Sequence, residues 1–178
     1  MSKSLQTIET PRLILRSPSM KDATAIFEQY AQDEEVTKYM TWRSHSTIET
    51  TQNYLQECLN DIAAKTAWYW MILPKQENKT VGMVRLQFHN HRAELGYVLA
   101  RPCWNQGFMT EALQPLVDWA LAKPSIYRVW AVCDIENTAS ARVLEKAGMT
   151  REGILHRWLI HPNMSKEPRD CFCYAKVK

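Results

Sequence analysis

Two stretches decide how this chain folds: "RPCWNQGFMTEAL", residues 101–113, and "NTASARVLEKAG", residues 137–148. The first joins a strand-like run, "RAELGYVLA" (92–100), to a run in which Phe108, Ala112, Leu113, Leu116, Trp119 and Ala120 recur three and four apart, as on one face of a helix. Only five glycines occur in 178 residues. Gly107 stands at this junction, where a tight turn needs one and so does a ligand lying directly against backbone. A helix opening there leaves several N–H groups without helical partners, and those donors with the helix dipole favour an anion by ~0.3–1 kcal/mol. A phosphate-binding P-loop requires Lys and then Ser or Thr after its last glycine, and Phe108 and Met109 follow here. A dinucleotide fingerprint requires three glycines, and this loop has one. On spacing alone, a plain turn and an anion seat both remain open.

The second stretch begins with Asn137, a good N-cap whose side chain can accept from the N–H near Ser140, and ends at Gly148, where a left-handed C-cap glycine belongs. Outward from these two motifs, "RLILR" (12–16) alternates as a short strand. Ser19 with Asp22 opens a first helix that runs to about Ala31, and Ser46 with Glu49 opens a second that ends near Lys65. "TAWYWMIL" (66–73) and "TVGMVRLQF" (80–88) form a hairpin of strands, and "HNH" (89–91) is a turn leading into 92–100. A helix follows over Phe108–Ala122, with Pro115 expected to kink it, and then a strand in "IYRVWAVC" (126–133). After the Asn137 helix, "GILHRWLI" (153–160) and "PRDCFCYAKV" (168–177) are the last strands. The order predicts one mixed α/β (α+β) domain over residues 1–178, without repeats or linkers.

Composition bounds the partners. Apolar residues make up 46% and charged residues 23%, which places the chain among globular proteins rather than disordered ones. A net charge of +3 without a basic run points away from nucleic acid and suits a small anionic ligand. No apolar run approaches the ~20 residues of a membrane span, and the N-terminus lacks a signal-peptide pattern, so a cytoplasmic protein off the membrane is expected. Five cysteines without CxxC spacing suit reduced thiols, and His89 and His91 find no further ligand at metal spacing, so no metal is expected.

Taken together, "TPRLILR", "AELGYVLARPCWNQGFMTEAL", "NTASARVLEKAGM" and the later Gly153, Asp170 and Tyr174 resemble the GNAT N-acetyltransferase superfamily. Within it they resemble the branch of the ribosomal-protein alanine N-acetyltransferases. That resemblance implies a central, mostly antiparallel twisted sheet with a splayed parallel pair, flanked by about four helices, that holds acetyl-CoA as co-substrate. It implies that the pantetheine arm bonds to backbone at Val98, Leu99 and Ala100. The pyrophosphate would rest on the amides of Asn105, Gln106, Gly107, Phe108, Met109 and Thr110, with Asn137 and Ser140 beside the thioester. The sequence departs from the family pattern at Met109, where Gly or Ala is usual, and at Leu144, where many members place a proton-donating Tyr. Ser140 is then the candidate proton donor and Glu94 the candidate base acting through water, with His156 and Asp170 behind it. The acceptor is expected to be a primary amine, first the N-terminal α-amine of a protein or peptide, in a ternary complex, and a homodimer is possible. A small amine such as a polyamine or aminoglycoside, drawn by Asp33, Glu34 and Glu35, is the alternative enzyme reading. A CoA-binding module without catalysis is the third.

Overall fold

The computed structural model describes residues 7–77 and 79–178. Its elements are β1 (Ile8–Glu9), β2 (Leu13–Arg16), α1 (Ala23–Ile26), α2 (Glu34–Thr37), α3 (Ile48–Ala64), β3 (Ala67–Pro74), β4 (Gly82–His89), β5 (Arg92–Leu99), α4 (Phe108–Leu121), β6 (Arg128–Asp134), α5 (Thr138–Lys146), β7 (Thr150–Leu159) and β8 (Arg169–Val177). The strands make one eight-stranded sheet in the order β1-β2-β3-β4-β5-β6-β8-β7. Every neighbouring pair is antiparallel except β5 and β6.

Helices cover the sheet on both faces, and alternation along β3 sends side chains to each. Trp70 meets Trp119 of α4 edge to face at 5.1 Å, while the Tyr69 hydroxyl donates to Asp61 of α3 at 2.8 Å. Burial on two sides explains why β3 reads as a nearly continuous apolar run. Helix α4 presents Ala112, Leu113, Leu116, Val117 and Ala120 to the sheet, all fully buried. It continues through Pro115 to Leu121, because the one helical bond that proline removes is small beside that buried face.

Local boundaries differ from the sequence reading in several places, among them the added β1 and the start of β7 at Thr150 rather than 153. Thr47, not Ser46, caps α3, its hydroxyl accepting from Thr50 N–H at 3.4 Å. The stretch from Met20 to Ala31 is helical but changes pitch, from a 3₁₀ turn (Met20–Asp22) through α1 to a π turn (Phe27–Ala31). The single-turn α2 was not foreseen, since four residues carry no periodicity to read.

The arrangement that matters for function lies between β5 and β6. They pair only at Arg92 with Arg128, Ala93 with Val129 and Glu94 with Trp130. Beyond that point β5 stays with β4 as far as Leu99 opposite Gly82, and β6 stays with β8 as far as Asp134 opposite Cys171. Each strand keeps its outer neighbour, so the sheet parts down its middle.

Trp70→Ala should destabilise the fold by about 3–5 kcal/mol, read as a lower denaturant midpoint with an unchanged slope.

Candidate active site at the parting of two parallel strands

On one lip of the split, β5 runs into the loop 101–107. The Ala100 N–H donates to Val81 O at 2.7 Å, and Val98 lies opposite Met83, so their peptide groups turn toward β4. Alternation then turns the peptide groups of Tyr97 and Leu99 toward the opening. Of Val98, Leu99 and Ala100, the positions expected along a pantetheine arm, Leu99 turns its peptide group toward the split, as Tyr97 does, while those of Val98 and Ala100 turn toward β4. The Leu99 carbonyl already accepts from Trp104 Nε1 at 2.8 Å, which folds the loop back over the strand end.

The loop closes through two left-handed residues, Asn105 at φ 60° and Gly107 at φ 77°. Gly107 is the N-cap of α4 and has no side chain to accept from the first-turn N–H groups, so these are left at the helix mouth. The sequence departure at Met109 is harmless to this geometry, because its side chain is buried in the core. Phe108 lies under the guanidinium of Arg12, 4.6 Å from ring centre to Cζ.

On the other lip, Asn137 caps α5 by accepting from Ser140 N–H at 3.1 Å, as its sequence position predicts. Ser140 Oγ lies 2.6 Å from the hydroxyl of Tyr97, which reaches it from β5 across the split and also donates to the Ser140 carbonyl at 3.2 Å. Burial raises the pKa of Tyr97 and outweighs the opposing effect of its Ser140 bond, so the group stays a phenol near neutrality. Cys133, at the end of β6, is likewise buried, and its thiol is pushed up to about 12. Leu144 is fully buried beneath α5. The hydroxyl nearest Ser140 therefore comes from β5 rather than from α5. Tyr97 escaped notice because an aromatic in a strand has the same local pattern whether it packs or reacts.

Glu94 lies on the opposite face of the sheet from Tyr97, by alternation along β5. It lines a cleft of about 420 Å³ with His89, Arg92, Arg128, Trp130, Leu155, Trp158 and Cys173. Among the described residues no ion pair ties down Glu94, and Arg128 is taken by Glu152. Ser140 and Glu94 are therefore not in contact: they lie on opposite faces of the sheet, Glu94 at the last pair that joins β5 to β6. His156 bonds Asp170 at 2.9 Å, exposed at the β7–β8 end beside Ile135 and Glu136, and lies outside this cleft. The remaining histidine of the tail, His161, is buried with Nε2 3.5 Å from Asp134 Oδ2 and its ring 6.3 Å from Tyr39.

Of the aromatics near the N-terminal helices, Trp70 packs on Trp119 in the core, and the partly buried Trp68 packs on Phe88 against it. Tyr39 and Trp42 are the ones on a surface segment, which Asn163 fastens to the β7–β8 connection by donating to the Thr37 and Trp42 carbonyls at 2.7 and 2.9 Å. Asp33 caps α2 and pairs with Arg101 at 3.1 Å. Among the described residues no cluster of His, Cys, Asp and Glu is arranged to hold a metal, and no helix is long and apolar enough to cross a membrane.

Residues 12–150 match the family model described as the acetyltransferase (GNAT) domain. The chain belongs to the GNAT acetyltransferases. It is 32% identical over 155 residues to the uncharacterized N-acetyltransferase p20 of Bacillus licheniformis, covering 85% of this chain and 86% of that one. Among solved structures it is similar to a GNAT-family acetyltransferase from Bacillus anthracis, with 31% identity, a TM-score of 0.83 and coverage of 97% and 98% of the two chains. Two others share the fold at 23% identity: the microcin C7 self-immunity acetyltransferase in complex with acetyl-CoA and AMP (TM-score 0.84, coverage 95% and 94%) and the ribosomal-protein-S5-alanine acetyltransferase from Vibrio fischeri (TM-score 0.82, coverage 97% and 96%). The chain is accordingly an N-acetyltransferase, and the parting of β5 and β6 in this GNAT fold is its candidate active site.

Gly107→Val places a β-branched residue at φ 77° and should cost ~1–2 kcal/mol of stability, seen as a lower thermal midpoint.

Proposed function

We propose that this GNAT enzyme transfers acetyl from acetyl-CoA to the N-terminal α-amine of a protein or peptide by direct attack in a ternary complex. The observation that carries the reading is the split itself, with the open helix mouth at Gly107 on one lip and the Tyr97–Ser140 hydroxyl pair on the other. The pyrophosphate rests on the amides of Asn105 to Thr110, where no protein side chain caps the helix. The pantetheine amides pair with the peptide groups of Tyr97 and Leu99, and Asn137 holds the start of α5 beside the arm.

Attack by the amine on the thioester carbonyl places negative charge on its oxygen, which the Leu99 N–H is suited to receive. Collapse then breaks the C–S bond and the leaving thiolate takes a proton. Ser140 supplies it, and Tyr97 re-protonates Ser140 by turning its hydroxyl proton from the Ser140 carbonyl to Oγ. The amine must arrive uncharged. An α-amine, with pKa ~7.7–8.0, meets that need with far less help than a lysine at ~10.4. Glu94 takes the amine's proton through water from the far face, which is the open one over β5 and β6.

Three features support an α-amine acceptor. The family likeness reaches ribosomal-protein acetyltransferases at the level of fold. The segment with Tyr39 and Trp42 is fastened as a wall facing the tail connection. Asp33, one of the three acids a polyamine would draw on, is committed to Arg101 and to its cap.

Release of free thiol from acetyl-CoA with peptides beginning in Ala or Ser, against spermidine and an aminoglycoside, tests the acceptor: activity confined to the small amines would overturn it. In the same assay Ser140→Ala and Tyr97→Phe should each lower turnover by about 10²-fold, with Glu94→Gln depressing the rate most at lower pH. Full turnover in Ser140→Ala and in Glu94→Gln across a pH series would remove both assignments. Gly107→Val should also weaken acetyl-CoA binding in calorimetry, and an unchanged affinity would remove the backbone seat.

A further inference from the structure

The opening motif "TPRLILR" has no part in the chemistry described above, yet its first three residues close on the cofactor loop from the far end of the chain. Thr10 Oγ1 donates to Glu111 Oε1 at 2.6 Å, Arg12 N–H donates to the same oxygen at 2.8 Å, and Arg12 Nε donates to Glu111 Oε2 at 2.6 Å. Leu13 N–H in turn donates to Thr10 Oγ1 at 3.0 Å, which locks the hydroxyl in place. The same guanidinium reaches forward from Nη1 to the Gln106 carbonyl at 2.9 Å. Its Nη2 lies 3.5 Å from the point a Cβ on Gly107 would occupy, and its plane covers Phe108. One side chain thus holds the last loop residue before the left-handed turn, the turn itself and the first turn of α4.

Charge gives this clasp a purpose beyond packing. Glu111 sits in the first turn of α4, where a carboxylate suits the helix dipole but repels any anion brought to the same mouth. Burial pushes the Glu111 carboxyl up, but hydrogen bonds from Thr10 and Arg12 outweigh it, so its pKa is lowered and it is ionised near neutrality. Arg12 is the cation in contact with it.

We infer that Arg12 is a positioning residue for acetyl-CoA: it neutralises Glu111 and fixes the Gln106 carbonyl, so that the loop amides converge on the pyrophosphate. The inference rests on the acetyl-CoA reading above. It explains why a strand start, remote in sequence, carries an arginine that is half exposed and yet makes three separate attachments.

Calorimetric titration of the full chain with acetyl-CoA tests it. Arg12→Met keeps a stem over Phe108 but loses the fork, and should raise Kd about tenfold or more, the loss appearing in KM for acetyl-CoA more than in kcat. Arg12→Lys should fall between, because an ammonium keeps the charge without the planar fork. Arg16→Met is the control: it breaks the equally short Arg16–Asp22 pair on the same strand, away from the loop, and should lower the thermal midpoint while leaving Kd alone. Wild-type affinity in Arg12→Met, or an equal loss in Arg16→Met, would overturn the inference. Should Arg12→Met fail to fold, an unchanged Kd in Arg12→Lys overturns it alone. Wild-type protein that does not bind acetyl-CoA would instead defeat the cofactor reading itself, and the inference with it.

Discussion

Strands β5 and β6 are each held more firmly on the outside than against one another, and the rest of the molecule is arranged around that imbalance. Three residue pairs join them before β5 follows β4 and β6 follows β8. Backbone groups on the inner edges are then left facing a gap rather than a ladder, which a protein tolerates only where something else can meet them. The parting also sets the mouths of α4 and α5 side by side, one after each diverging strand. The proposed seat of acetyl-CoA draws on these backbone groups, its amides meeting the strand edge and its phosphates the helix mouth.

The chemistry divides between the two faces of the sheet. The hydroxyls of Tyr97 and Ser140 meet on the face carrying α5, and Glu94 looks out from the other. In the proposed reaction the two faces have separate tasks, one giving a proton to the leaving thiolate and the other taking a proton from the amine. The unusual residues at Met109 and Leu144 do not disturb this plan. Both are buried in the core, and a hydroxyl from β5 stands beside Ser140.

Around the gap, segments remote in sequence act as braces. Thr10 and Arg12 hold the end of the loop at Glu111 and Gln106, and Asp33 of the α2 cap holds its beginning at Arg101. Asn163 joins the segment bearing Tyr39 and Trp42 to the tail connection. Most of these contacts are solvent-exposed pairs that contribute little to stability singly. Their value is in limiting how far a loop of irregular backbone can move.

The sequence by itself determined the mixed α/β class, nearly all the elements, the turn at Gly107 and the Asn137 cap that meets Ser140. Each of these depends on periodicity, on a positive φ or on a capping residue within a few positions, and such signals are local. The parting of β5 and β6 followed from the family resemblance, but tertiary structure alone decided that it comes after Glu94 and Trp130, that Tyr97 meets Ser140, that Trp70 packs on Trp119, and that Arg12 reaches Glu111. Those facts rest on which distant segments meet, and alternation along a strand names two faces without saying what will cover either. The facing of the Tyr97 and Leu99 peptide groups has the same origin. Only the register of β4 against β5 tells which peptide groups face a neighbour and which face the gap.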